Sequence, residues 1–270
     1  MSQALLAREG LTATLEGGVL DVVLHRGAAN EIGLSLLSDL EALVALFGDA
    51  RVRVLLMHSA SRRGFSAGAD LRELHEGNVR RRAEGASDAA RVAEVRAFLD
   101  RIHAVMDAID AAPFPTIAAT HGVVFGGGFE LALACDVRVV ADEARLGLPE
   151  ARLGLLPAAG GTQRMTRICG ESVARRLILG AEVVQGADAV GLGLAQWRAP
   201  AAELRATACG IVERIADLPG AALRESKRCI AAALDSRRDG YEVELEGSGA
   251  LLALEETQER VRRFLDRDAS

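Results

Sequence analysis

Two glutamates, Glu130 and Glu150, stand in apolar, glycine-rich surroundings rather than among other charges. Glu130 follows three consecutive glycines in residues 121–136 (HGVVFGGGFELALACD). Glu150 sits behind Pro149 in residues 147–164 (GLPEARLGLLPAAGGTQR). Two carboxyl groups near one reacting bond can divide general acid and general base work, provided burial moves them toward neutrality. Glycines let a ligand approach the main chain, and the free N–H groups at a helix start favour negative charge. A dinucleotide-binding loop is the rival reading of the glycine run. The G-x-G-x-x-G spacing is missing, however, and no acidic residue ends a second strand where that fold needs one.

A third segment, residues 64–71 (GFSAGADL), matches G-x-S-x-G, the nucleophile elbow of serine esterases. That chemistry needs an acid and a histidine further along the chain. The histidines are His25, His58, His75, His103 and His121, and none follows His121. Ser66 is therefore read as a small packing residue in a tight turn.

Elements must hold these segments together. Residues 11–15 and 19–25 alternate apolar and polar positions around Gly17-Gly18, a hairpin signature. Residues 34–47 carry apolar side chains at helical spacing. Residues 52–58, 115–120 and 137–141 read as compact strands. Helices between strands imply crossovers and a largely parallel sheet, an α/β fold. Residues 77–96 are polar and Arg-rich and read as a solvated loop with the first turns of a helix. After Gly191 the pattern is mostly helical, over 201–218, 221–234 and 241–265. A domain change is placed near residue 200, giving 1–200 as the core that holds the site and 201–270 as a helical region.

The net charge of −6 argues against a nucleic-acid partner, since phosphate neutralisation needs clustered Lys and Arg. Arg80-Arg81-Arg82 alone makes no extended patch. Four scattered cysteines with no C-x-x-C pair fit buried thiols better than a zinc site or a disulfide framework. No uninterrupted apolar run reaches about 18 residues, so no membrane partner is expected. The opening MSQALLAREG carries no secretory pattern, and a cytoplasmic location is expected.

Taken in order, the three segments resemble the crotonase (enoyl-CoA hydratase/isomerase) superfamily through most of residues 10–200. The resemblance implies a spiral of β-β-α units with a C-terminal helical trimerisation region, and a homotrimer or dimer of trimers. It implies that the Ala69 and Gly127 amides form an oxyanion hole for the thioester oxygen. It places the catalytic pair on Glu130 and Glu150, twenty residues apart, with Glu130 activating water and Glu150 delivering a proton to the α-carbon. The CoA moiety would lie against Ala67, Asp70, Leu71 and Arg72, with Arg72 toward its phosphates and Ala28 as a further contact. No metal and no cofactor beyond the CoA of the substrate is implied.

The activity so implied is reversible syn addition of water to a 2-enoyl-CoA. An enoyl-CoA isomerase, which needs only one base, is the alternative. So is a specialised dehydratase on a branched, carboxylated or polyketide-type acyl thioester. The stretch between Asp70 and Pro115 is longer than usual for the family and bears on the acyl pocket. Gly27 replaces a common proline. Ala158 stands where a glycine usually helps to place the water.

Overall fold

The computed structural model describes residues 2–268. Among these residues the strands are β1 (Gln3–Ala7), β2 (Leu11–Glu16), β3 (Val19–Leu24), β4 (Val54–Ser59), β5 (Gly64–Ser66), β6 (Thr116–Thr120), β7 (Val123–Phe125), β8 (Val137–Ala141), β9 (Arg145–Gly147), β10 (Val183–Gln185) and β11 (Trp197–Ala199). The helices are α1 (Leu34–Val44), α2 (Leu71–Ala83), α3 (Asp88–Asp110), α4 (Gly127–Ala134), α5 (Gly161–Leu179), α6 (Gly186–Ala189), α7 (Leu204–Ala216), α8 (Gly220–Ala233), α9 (Gly240–Leu252) and α10 (Glu255–Asp268).

The entry hairpin forms as its alternation predicts. Leu11, Ala13 and Leu15 of β2 are buried, and Gly17 and Gly18 both adopt positive φ (57° and 85°). Two such residues in succession make the turn whose twist matches paired strands, which glycine adopts without strain. β4 is buried almost throughout and lies between β3 and β6, parallel to both. Strands covered on both faces read as continuous apolar runs for this reason.

Two sheets result, in the orders β1-β2-β3-β4-β6-β8-β11 and β10-β9-β7-β5. The chain moves between them three times in the same way. β4, β6 and β8 enter the large sheet, each is followed by a short strand of the small sheet, and then by helical chain (α2, α4, and the 3₁₀ turn Glu150–Leu153 with α5). β5, β7 and β9 are parallel neighbours, so the starts of their following segments are brought side by side.

One expectation is corrected. Residues 77–83 are not a loop but complete α2; after a short turn the expected helix opens as α3 at Asp88. Ser87 caps α3 by accepting from the Ala90 N–H at 3.2 Å. Arg81 reaches Glu94, and Arg91 reaches Asn78, across the helical hairpin. Arg is a good helix former, and a helix solvated all round can stand on such pairs without an apolar stripe.

The region after residue 200 begins on the core. Leu204, Ala208, Ile211, Val212 and Ala216 of α7 are buried, and α7 packs on strands β3, β4, β6, β8 and β11. α8 and α9 pack on each other. Lys227 of α8 is pinned 2.8 Å from Asp136, which also accepts from the Thr116 N–H and hydroxyl. The four cysteines are free thiols.

Candidate active site

The first repeat delivers Ala69. Ile32 bridges it in parallel: the Ile32 N–H donates to the Gly68 carbonyl at 2.8 Å, and the Asp70 N–H donates to the Ile32 carbonyl at 3.1 Å. That pattern turns the Ala69 N–H away from Ile32. Gly127 is the first residue of α4, where an N–H has no partner within its own helix. Among the described residues neither amide donates to the protein. They adjoin: a Cβ on Gly127 would stand 3.6 Å from the Ala69 nitrogen. Gly68 must be glycine for this approach, since φ is +96° and a Cβ would meet the Phe125 carbonyl oxygen at 2.8 Å.

Glu130 sits one turn into α4 and is only 2% exposed. Its Oε1 accepts from the Ala159 N–H at 2.8 Å and the Gly161 N–H at 2.7 Å. Burial pushes its carboxyl up to about 7, and the nearby Glu150 charge adds to that, against the pull of the two amides and Arg164. Glu150 opens the 3₁₀ turn after β9. Its Oε1 would lie 2.8 Å from a Cβ on Gly126, the residue before Gly127. Burial raises Glu150 as well, and its Oε2 is buried with no partner in the chain. Two unclaimed amides thus adjoin, Glu150 lies against the residue before Gly127 and its charge acts on Glu130, and burial raises both carboxyl groups.

The chain matches the family model for enoyl-CoA hydratase/isomerase over residues 14–269. It belongs to that family. It is 45% identical over 179 residues to a mouse protein, Enoyl-CoA hydratase domain-containing protein 2, mitochondrial, covering 66% of this chain and 56% of that relative's length. Identity to a probable enoyl-CoA hydratase of Bacillus subtilis (strain 168) is 32% over 255 residues, covering 91% of this chain and 92% of the relative. The crystal structure of an enoyl-CoA hydratase from Bacillus anthracis matches with a TM-score of 0.84 at 30% identity, covering 96% of each chain. The fold is the crotonase-like α/β fold of these neighbours.

The other residues singled out from the sequence run from residues 28–29, beside 61–67, to the start of α2. The Ala67 N–H donates to the Ala29 carbonyl at 2.8 Å, and the Ala28 carbonyl accepts from the Ser61 hydroxyl, so 28–29 runs beside 61–67. Leu71 is half-exposed, and Arg72 is exposed on the first turn of α2. The Asp70 side chain is engaged within the fold: it caps α2 through the Glu73 N–H at 3.0 Å and lies 3.4 Å from Arg26. Both contacts hold its carboxyl below the usual range.

Ser66 has no catalytic geometry. It is 1% exposed, donates to the Asn30 carbonyl at 2.7 Å and accepts from the Gly68 N–H at 3.2 Å. Gly128 is glycine for its sake, since a Cβ there would come within 2.4 Å of the Ser66 Cβ.

Sequence reasoning missed three supporting residues. Asn30, fully buried at φ +48°, donates to Ser59 and to the Phe65 carbonyl and so holds the strand leading to Ala69. Arg164 and His103 hold the loop that carries the Glu130 amide donors. A lone Asn, Arg or His carries no pattern that would distinguish it. A cleft of about 290 Å³ also opens between α2 and α3, lined by Leu74, Val95 and Phe98 beside Arg80 and Arg101, with Asp70 at its margin.

Proposed function

We propose that this protein is an enoyl-CoA hydratase, adding water reversibly and syn to the double bond of a 2-enoyl-CoA. The observation that carries the reading is the arrangement just described. In this reading the Ala69 and Gly127 amides receive the thioester oxygen, where enolate charge develops. Fixed dipoles in a site poor in water stabilise such charge without reorganising. Glu130, its Oε1 held by two amides, takes a proton from water as the hydroxyl adds to the β-carbon. Glu150 gives a proton to the α-carbon. Burial of both carboxyls suits this division, because near neutral pH the pair has both a base and an acid form within reach. An isomerase would need only one such group, and retention of both favours water chemistry. The hydratase names of the relatives point the same way.

CoA is assigned to the edge formed by Ala28, Ala67, Asp70, Leu71 and Arg72, with the exposed Arg72 nearest its phosphates. The chemistry needs no metal and no separate cofactor. A second reading, a specialised dehydratase on a branched or carboxylated acyl thioester, draws on the mixed apolar and cationic wall of the α2–α3 cleft. Assembly as a homotrimer or dimer of trimers is supported by apolar side chains left exposed on the C-terminal helices, among them Ile230, Tyr241, Leu245 and Phe264. A cytoplasmic location remains our expectation.

The test is hydration of crotonyl-CoA and longer or branched enoyl-CoAs by purified protein. Loss of the conjugated-thioester absorbance and a mass gain of one water are expected. Migration of a β,γ double bond without water uptake, undisturbed by Glu150→Gln, would replace the hydratase reading with isomerase.

A further inference from the structure

We propose that His103 is a positioning residue for Glu130, acting through the single peptide group that joins Ala158 to Ala159. Its Nε2 lies 2.5 Å from the Ala158 carbonyl oxygen. A carbonyl only accepts, so this ring nitrogen carries the hydrogen and donates. The N–H at the other end of the same peptide belongs to Ala159 and donates to Glu130 Oε1 at 2.8 Å. Imidazole, peptide and carboxylate therefore form one chain of donors pointing the same way. Drawing on the carbonyl polarises the peptide and strengthens its N–H as a donor; the His103 contact lies at the surface, and the Ala159–Glu130 contact it acts on is buried.

His103 does not act from an isolated perch. His103, Asp107 and Asp110 recur at i, i+4 and i+7 along one face of α3. Asp107 accepts from Arg164 Nη2 at 2.5 Å, and Asp110 lies 3.6 Å from Arg164 Nε. Arg164 in turn donates from Nη1 to the Ala159 carbonyl at 3.3 Å. α3 thus grips two successive peptides, 158–159 directly and 159–160 through Arg164. Glu130 itself lies on α4, against which α3 also packs, and this loop is the hydrogen-bonded route from α3 to its carboxyl. The charged groups that act on Glu130 are Glu150, from the turn after β9, and Arg164, from α5.

The inference rests on Glu130 serving as the water activator, and the test separates the two. His103→Phe removes the donor and keeps an aromatic ring, whereas the side-chain amide of His103→Gln can still donate. With crotonyl-CoA, His103→Phe should lower kcat about tenfold with KM within twofold, the cost of a mispositioned base. His103→Gln should recover most of the loss, and thermal midpoints should coincide. A kcat for His103→Phe within twofold of wild type overturns the inference, as does a loss that His103→Gln fails to rescue. The second readout is the titration of the Glu130 carboxyl by ¹³C NMR, identified by its absence in Glu130→Gln. Its midpoint should rise in His103→Phe, because a weaker amide donor favours the ionised form less. An unmoved midpoint overturns the inference. If the wild type hydrates no enoyl-CoA, the functional reading fails, and the NMR midpoint still decides the role of His103. If His103→Phe does not fold, His103→Leu and its Glu130 midpoint decide: a raised midpoint with intact stability supports the relay, and an unmoved one overturns it.

Discussion

Gly126 leaves the space that Glu150 occupies: a Cβ at Gly126 would stand 2.8 Å from Glu150 Oε1. The same glycine has φ +50° and ψ −130°, a backbone region that side chains disfavour. Gly126→Ala should therefore cost about 1–3 kcal/mol in strain and also push the Glu150 carboxyl aside. The expected outcome is a kcat lowered roughly tenfold or more, measured with crotonyl-CoA beside a denaturant titration. A kcat unchanged from wild type would show that Glu150 tolerates displacement.

Glu130→Gln and Glu150→Gln should each reduce kcat by roughly a hundred- to ten-thousandfold, the range of general acid–base groups. CoA binding should persist in both, since neither side chain is assigned to that edge. Steady-state kinetics with calorimetric CoA titration separates the two effects.

The burial of Glu130 makes stability depend on pH. Its folded value, about 7, lies above the ordinary 4.5, so between these two values the folded state holds a proton that the unfolded state has released. Stability from this group is thus greatest below about 4.5 and falls as pH rises through about 7. The loss amounts to as much as about 3 kcal/mol. Glu130→Gln keeps an oxygen for the two amides and cannot ionise. It should be more stable than wild type at pH 8 and lose that advantage by pH 5, as read by denaturant midpoints at the two pH values.

Ser66→Ala removes a buried hydroxyl that bridges the Asn30 carbonyl and the Gly68 N–H. A stability loss of about 1–2 kcal/mol is expected, with turnover falling only a few fold. Abolished turnover in a folded variant would restore a nucleophilic role for Ser66.

The site was legible in the sequence where its chemistry is written as local backbone need. Ala69, Gly127, Glu130 and Glu150 lie in glycine-bearing segments, where Gly68, Gly126 and Gly128 leave the room that Phe125, Glu150 and Ser66 take up. The hairpin at Gly17-Gly18 and the buried strand β4 were legible for similar reasons, one as turn chemistry and the other as an apolar run. Strands β5, β7 and β9 were not, because three residues carry no period. The α2–α3 hairpin was misread because its opening faces solvent and shows no apolar stripe, while its pairs Arg81–Glu94 and Arg91–Asn78 join residues 13 apart. His103 meets Ala158 across 55 residues, a contact that exists only once the chain has folded.

The three-fold passage between the sheets has a consequence for how such a protein can change. Each coil of the chain carries a separate share of the candidate site: Ala69 from the first, Gly127 and Glu130 from the second, Glu150 from the third. In the long stretch between the first and second coils, α2 and the opening of α3 lie outside both sheets and bury no side chain, so they can drift in length and composition, whereas Ile102, Val105, Met106 and Ile109 tie the rest of α3 to the core. The grip of α3 on residues 158–160 is the point where such drift would be felt at Glu130.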